Sequence, residues 1–280
     1  MNIFTVLITQ PLANGLILCY QLFGQNMGLA IIGFSLILRV GLTPLTKPYM
    51  ESMKKLKTYQ KDLAKLKERH KGDRTKLMKA QADFYKEKGI NPTAGCLPQI
   101  LQIVILIALF NVFRTVLSGN ADQLTTFNNL LYTPLHFPSG VSLNTQFLYL
   151  DVTKPDVFHI PGVPFALPGV VVILAAFFQF LSAKIASPYV ETEKKIAKKT
   201  AGEADDMAVA IQSSMIYTFP LMTLFIGVSF PSGLALYWLL FSLFQAFQQY
   251  RSTGWGGATP FLQRLGLVQS GLKNGTAKTN

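Results

Sequence analysis

Apolar residues dominate five stretches of the chain, 26–47, 97–117, 164–186, 211–230 and 233–250, each long enough to be read as a membrane-crossing helix. The hydrocarbon layer of a bilayer is about 30 Å thick and takes about 20 helical residues to cross. The pattern therefore predicts an all-α integral membrane protein with five transmembrane helices. Pro231, Ser232 and Gly233 predict a tight turn that makes the last two spans a helical hairpin.

The pattern between the spans is different. Over 48–96, Met53, Leu56, Leu63 and Leu66 fall on one stripe of an otherwise basic helix, which breaks at Gly72-Asp73. It resumes with Leu77, Ala80 and Phe84 and stops at Gly89, which predicts a cytoplasmic basic helical hairpin. A solvated connector lying on anionic headgroups has the same pattern. Residues 118–163 are proline-rich without a clear period and predict an irregular outer loop. Residues 187–210 and 251–280 predict a cytoplasmic loop and a flexible cytoplasmic tail. In 1–25, Pro11, Asn14 and Gly15 interrupt the apolar residues, so this part reads as an outer interfacial amphipathic segment. It shows neither a basic secretory start nor an Arg- and Ser-rich transit peptide, and Leu16-Ile17-Leu18 before Cys19 argues against lipoprotein processing.

Polar positions within the spans carry the candidate chemistry. Ser35, Arg39, Thr43 and Thr46 are spaced by four, four and three residues, which keeps them within an arc of about 80° on one helix face. Trp238, Ser242, Gln245 and Gln249 repeat the pattern in the last span, Gln99 and Gln102 open the second, and Gln179 lies deep in the third. Hydrogen-bonding glue between helices is the ordinary use of Ser, Thr and Gln in membranes. Arg39 is different, because a cation at membrane depth costs about 2.5–3.5 kcal/mol on insertion scales and no apolar span holds an acidic partner for it. It either snorkels towards the headgroups or marks a functional site. Two polar stripes and an unpaired arginine together favour a water-filled cavity. The apolar outer portions, Asn26–Phe34 and Leu234–Leu236, favour a groove closed outside and open to the cytoplasm.

Composition agrees with a membrane protein: 50% of the 280 residues are hydrophobic, 14% are charged, and the mean hydropathy is +0.31. A net charge of +12 would suit a nucleic-acid binder, but its distribution gives it another meaning. All but three of the 26 lysines and arginines fall on one side of a five-span arrangement, the exceptions being Arg39, Arg114 and Lys154. The positive-inside bias then places the N-terminus outside and the C-terminus in the cytoplasm. His70, His136 and His159 lie in hydrophilic connections, and no HExxH, GxSxG or phosphate-binding glycine loop occurs. The carboxylates also lie outside the spans, and Cys19 and Cys96 form neither a disulfide framework nor a metal-ligand spacing. No enzyme activity, cofactor or metal is expected. A channel or transporter using the same cavity is the alternative, although transporters often show internal repeats and none is visible.

One ordered set of residues adds a family resemblance over nearly the whole chain. It comprises Arg39 with Pro44-Leu45, Ser52-Met53-Lys54-Lys55, Asn91-Pro92, Gly95-Cys96-Leu97-Pro98, Phe147-Leu148 with Asp151, and Lys154-Pro155-Asp156. It continues with Leu167-Pro168, Gln179, Phe230-Pro231-Ser232-Gly233-Leu234, Tyr237-Trp238 and Gln248-Gln249. This order resembles the YidC, Oxa and Albino family of membrane protein insertases. The resemblance implies a five-helix core around a hydrophilic groove whose arginine, here Arg39, attracts acidic residues of a client's translocating tail. Gln179 and Trp238 match groove positions, and Gln102 is a further lining candidate. With Ser35, Thr43, Ser242 and Gln245 from the stripes they make up the expected substrate-binding groove. The implied partners are nascent membrane proteins and membrane lipids, with the Sec translocon, the ribosome and a targeting receptor as candidates and no specific nucleic acid. The implied place is the bacterial inner membrane. The sequence resembles the short form of the family, without a large outer domain between the first two spans, a lipoprotein start or a long basic tail.

Overall fold

The computed structural model describes residues 2–70, 72–91, 97–117, 127–138, 141–186, 203–264 and 266, and the architecture is mainly helical. The Pro92–Cys96 segment, residues 187–202 of the expected cytoplasmic loop and the tail from 267 lie outside the described residues. After a π-helical turn at Thr5–Thr9, helix α1 covers Gln10–Leu22 and α2 covers Met27–Thr58. Asn26 caps α2, its side-chain oxygen accepting the Leu29 N–H at 3.1 Å. The turn between these helices uses Gly24 and Gln25, both with positive φ. Gly15 and Gly33 lie against the rings of Phe34 and Phe23, so small residues let α1 and α2 pack closely.

Helix α2 does not stop where the apolar stretch ends. It runs through Pro44 and Pro48 to Thr58, so the span expected over 26–47 and the start of the hairpin expected over 48–96 form one helix. Helices α3, Gln60–Arg69, and α4, Arg74–Glu87, complete the hairpin around a turn in which Gly72 has φ +96°. Asp73 starts α4 by accepting the Lys76 N–H at 3.0 Å. That bond and the Lys76 ammonium hold the Asp73 carboxyl below the usual carboxylate range.

Helix α5, Leu97–Leu117, leads to a covering loop that contains two small antiparallel pairs. Strand β1, Gln146–Phe147, pairs with β2, Leu150–Asp151, and β3, Val157–Phe158, pairs with β4, Leu167–Pro168. Helices α6, Val170–Ala186, α7, Glu203–Gly227, and α8, Ser232–Thr253, follow. Gly254 ends α8 at φ +64°, a positive value that glycine adopts readily. The stretch 251–264 was expected within a flexible tail. Instead, a 3-10 turn at Gly256–Ala258 leads into α9, Thr259–Arg264. Ala258 and Leu262 are buried against Ile185 of α6, and Gly256 approaches the Ile185 carbonyl so closely that a β-carbon would collide with it.

The main core gathers at one end of the helix bundle. It is built from α1, Met27–Phe34 of α2, Ile105–Phe113 of α5, the covering loop, and the first turns of α6 and α8. The loop satisfies helix N-termini that would otherwise leave N–H groups unpaired. The N–H groups of Ser232 and Gly233 donate to the carbonyls of Lys154 at 2.7 Å and Val152 at 2.9 Å, and the Asp156 carboxylate accepts the Val171 N–H at 2.8 Å. Elsewhere along the helices large apolar side chains face outward: Ile37 and Val40 on α2, Ile103 and Ile107 on α5, Phe177 on α6, Phe225 on α7 and Phe247 on α8 are exposed. Large apolar residues exposed on every one of these helices suit lipid better than water. Met27–Leu56 is long and apolar enough to cross a membrane, while Ile100–Thr115, Val170–Ala186 and Ile216–Gly227 are shorter apolar helices.

Candidate functional site

The polar stripe of α2 largely satisfies itself. Ser35 donates its hydroxyl to the Ile31 carbonyl at 2.6 Å, Thr43 to the Arg39 carbonyl at 2.8 Å, and Thr46 to the Thr43 carbonyl at 3.0 Å. Such back-bonding is how a hydroxyl is accommodated in an apolar helix. Arg39 carries five N–H donors at the end of a long side chain. It reaches across to α8, where the Gln248 side-chain oxygen accepts a hydrogen bond from Nη2 and the Phe241 ring lies 5.1 Å from Cζ. Both partners are neutral. Among the described residues no carboxylate pairs with Arg39; the ion pairs there are Lys76–Asp73, Lys88–Glu87 and Lys154–Asp151.

Around Arg39 lies a small recess lined by Ser35, Leu38, Arg39, Leu42, Tyr237, Phe241 and Phe244. Of the residues singled out in the sequence, Ser35 and Arg39 meet there. Thr43, Gln102, Gln179, Trp238, Ser242 and Gln245 do not line this recess. Gln102 stands one contact behind it, accepting the Tyr237 hydroxyl at 3.2 Å, while its own buried Nε2 has no partner among the described residues. Gln179 joins α6 to α7 by accepting the Thr223 hydroxyl at 2.6 Å. Trp238 and Ser242 are buried in the helix packing.

Sequence reasoning missed Tyr49, Thr223 and Phe241, and found Gln248 only through the resemblance. Tyr49 was within reach of the method, since it follows Thr46 by three residues on the same face of α2. Its hydroxyl accepts the Gln249 amide N–H at 2.7 Å. Phe241 and Gln248 are seven residues apart and share a face of α8, but nothing in that spacing names the arginine they meet.

Comparison with known proteins decides the family. The family model of the 60Kd inner membrane protein matches residues 18–254, which is most of the chain. This chain belongs to that family. A similar protein from Fusobacterium nucleatum, named membrane protein insertase YidC, is 30% identical over 225 residues, covering 80% of this chain and 85% of the relative. One from Bacillus anthracis, named membrane protein insertase YidC 2, is 30% identical over 249 residues, covering 87% of this chain and 78% of the relative. The YidC of Chlorobium luteolum is 34% identical over 248 residues, and there the matched part is 87% of this chain but only 36% of the longer relative. The family match contains every residue of the Arg39 recess.

Proposed function

We propose that this chain inserts newly made membrane proteins into the bilayer, and that Arg39 attracts carboxylates of the client segment that must cross. One observation carries the mechanism. Arg39 sits in a recess between α2 and α8, and its side-chain partners among the described residues are a neutral amide and an aromatic ring. A guanidinium in such surroundings keeps its charge for an incoming anion, and carboxylates are the groups its planar donors fit best.

In this reading, five spans surround a groove that opens to the cytoplasm, with the N-terminus outside and the C-terminus inside. Ser35, Thr43, Gln102, Gln179, Trp238, Ser242 and Gln245 supply its polar and aromatic surroundings. The exposed apolar faces of the helices meet lipid and give the client a lateral way out. The groove shortens the hydrophobic distance and replaces part of the hydration lost by the client's polar tail. The α3–α4 hairpin is the proposed contact for the ribosome, a targeting receptor or the nascent chain, and retained insertion after deletion of residues 50–88, in protein that still folds, would remove it from the scheme.

The decisive experiment reconstitutes the purified chain in liposomes and measures protease-protected insertion of a single-span client with an acidic tail. Arg39→Ala is expected to lower insertion about tenfold, equivalent to about 1.4 kcal/mol. Arg39→Lys is expected to lose less, because it keeps the charge but not the planar donors. A matched client with a neutral tail should lose about twofold at most, since it has no carboxylate to pair with the cation. Equal losses for the two tails would reject electrostatic capture.

A further inference from the structure

The Arg39 side chain is held in a specific place, and the residues that hold it suggest how the site distinguishes its clients. Adjacent glutamines on α8 bond to two points of α2 that are ten residues apart: Gln248 to the guanidinium of Arg39 and Gln249 to the hydroxyl of Tyr49. Ten helical residues span about 15 Å. Long side chains at all four positions cover that distance. The guanidinium is held between the Gln248 amide and the Phe241 face, which share a side of α8.

The chemistry of the holder matters as much as its position. A glutamine amide offers one oxygen acceptor and no net charge. It satisfies one of the five guanidinium N–H donors without neutralising the cation. An aromatic face likewise stabilises a cation while leaving the donors at its edge free. A carboxylate in the same place would make the stronger, charge-assisted pair and occupy the site permanently.

We propose that Gln248 is a neutral placeholder for the client carboxylate: with Phe241 it parks Arg39, and it yields its position when an acidic residue of the client arrives. This inference rests on the electrostatic reading of Arg39 and adds to it a residue that sets specificity. It assigns the selectivity for acidic tails to the absence of charge at position 248 as well as to its presence at position 39.

The test uses the full chain in liposomes, the matched acidic and neutral single-span clients, and the variants Gln248→Glu, Gln248→Leu and Arg39→Ala. Gln248→Glu supplies the counter-ion internally. It is expected to lower acidic-tail insertion about tenfold, to the level of Arg39→Ala, and to leave neutral-tail insertion within about twofold. Gln248→Leu removes the acceptor without adding charge and is expected to keep the ratio of acidic to neutral insertion within about twofold of the unmodified chain. Unchanged acidic-tail insertion in Gln248→Glu, when Arg39→Ala is impaired, overturns the placeholder and leaves the Arg39 mechanism standing. A ratio lost equally in Gln248→Leu and Gln248→Glu traces the effect to packing and also overturns it. If Arg39→Ala itself spares the acidic client, both readings fall together.

Discussion

The two ends of the helix bundle are held together by different means. At the loop-covered end, Met27 and Ile31 of α2, Phe113 of α5 and Leu234 of α8 are almost fully buried, and backbone hydrogen bonds lock the loop onto the helix starts. Towards the hairpin end, α2 and α8 meet through Arg39–Gln248 and Gln249–Tyr49, beside a recess. The hydrophobic effect does not separate the two ends, because lipid is as apolar as a leucine side chain. Close packing and hydrogen bonds do the holding within a membrane. In the proposed mechanism, the tightly packed end remains a seal while the polar end exchanges its partners for those of a client.

Substitutions can break or sharpen this contrast. The largest effect is expected at Gly28, where an added β-carbon would run into the Phe147 ring that packs on α2. Gly28→Val should destabilise by about 3 kcal/mol through overpacking, read as a lowered thermal midpoint of the purified protein. Asn14 comes next: its amide donates to the Leu130 carbonyl at 3.0 Å and its oxygen accepts the Tyr132 N–H at 2.6 Å. Asn14→Leu leaves that N–H unpaired and should cost about 2 kcal/mol. At the polar end, Tyr49→Phe removes the acceptor for Gln249 and should cost only about 1 kcal/mol.

Gly41, on the same helix as Gly28, has nothing within 4 Å of an added β-carbon. Gly41→Ala should therefore be neutral or stabilising by up to about 1 kcal/mol, since alanine favours a helix. A loss there as large as at Gly28 would refute the contrast between a packed end and an open one.

The smallest expected effect is a dependence on acid. Burial would raise the Asp151 carboxyl, but hydrogen bonds from the Thr153 hydroxyl and N–H, then from Thr145 and Lys154, outweigh it and hold the group below the usual carboxylate range. A lowered carboxyl contributes stability that is present above its ordinary, unfolded value and fades as pH falls through the lowered one. Thermal midpoints of the unmodified chain and Asp151→Asn should therefore differ at neutral pH and converge in acid. A difference that persists in strong acid would remove this carboxylate from the account.

Much of the fold was legible in local pattern. The breaks at Gly72 and Gly89 follow from residues that adopt positive φ easily, and both do so here. The stripe through Ser35, Arg39 and Thr43 follows from helical periodicity alone. The end of the apolar stretch at 47 did not mark the end of α2, because hydropathy shows where a span could leave lipid and not where a helix stops, and α2 continues through Pro48 to Thr58. The fold-back of 254–264 was hidden because it depends on Ile185, about seventy residues earlier in the chain.

By itself, the sequence determined the mainly helical fold, the place of Arg39 on a polar face and the membership of the family. These depend on periodicity, residue type and order along the chain. Only the tertiary structure decided that Arg39 meets Phe241 and Gln248, that Gln102 stands behind Tyr237 and that Gln179 faces Thr223. A hydrogen-bond partner is chosen by how two helices are rotated and shifted against each other. That choice comes from packing over their whole length, including the close approach of Gly233 to Ile31 and Phe113, and no local pattern encodes it.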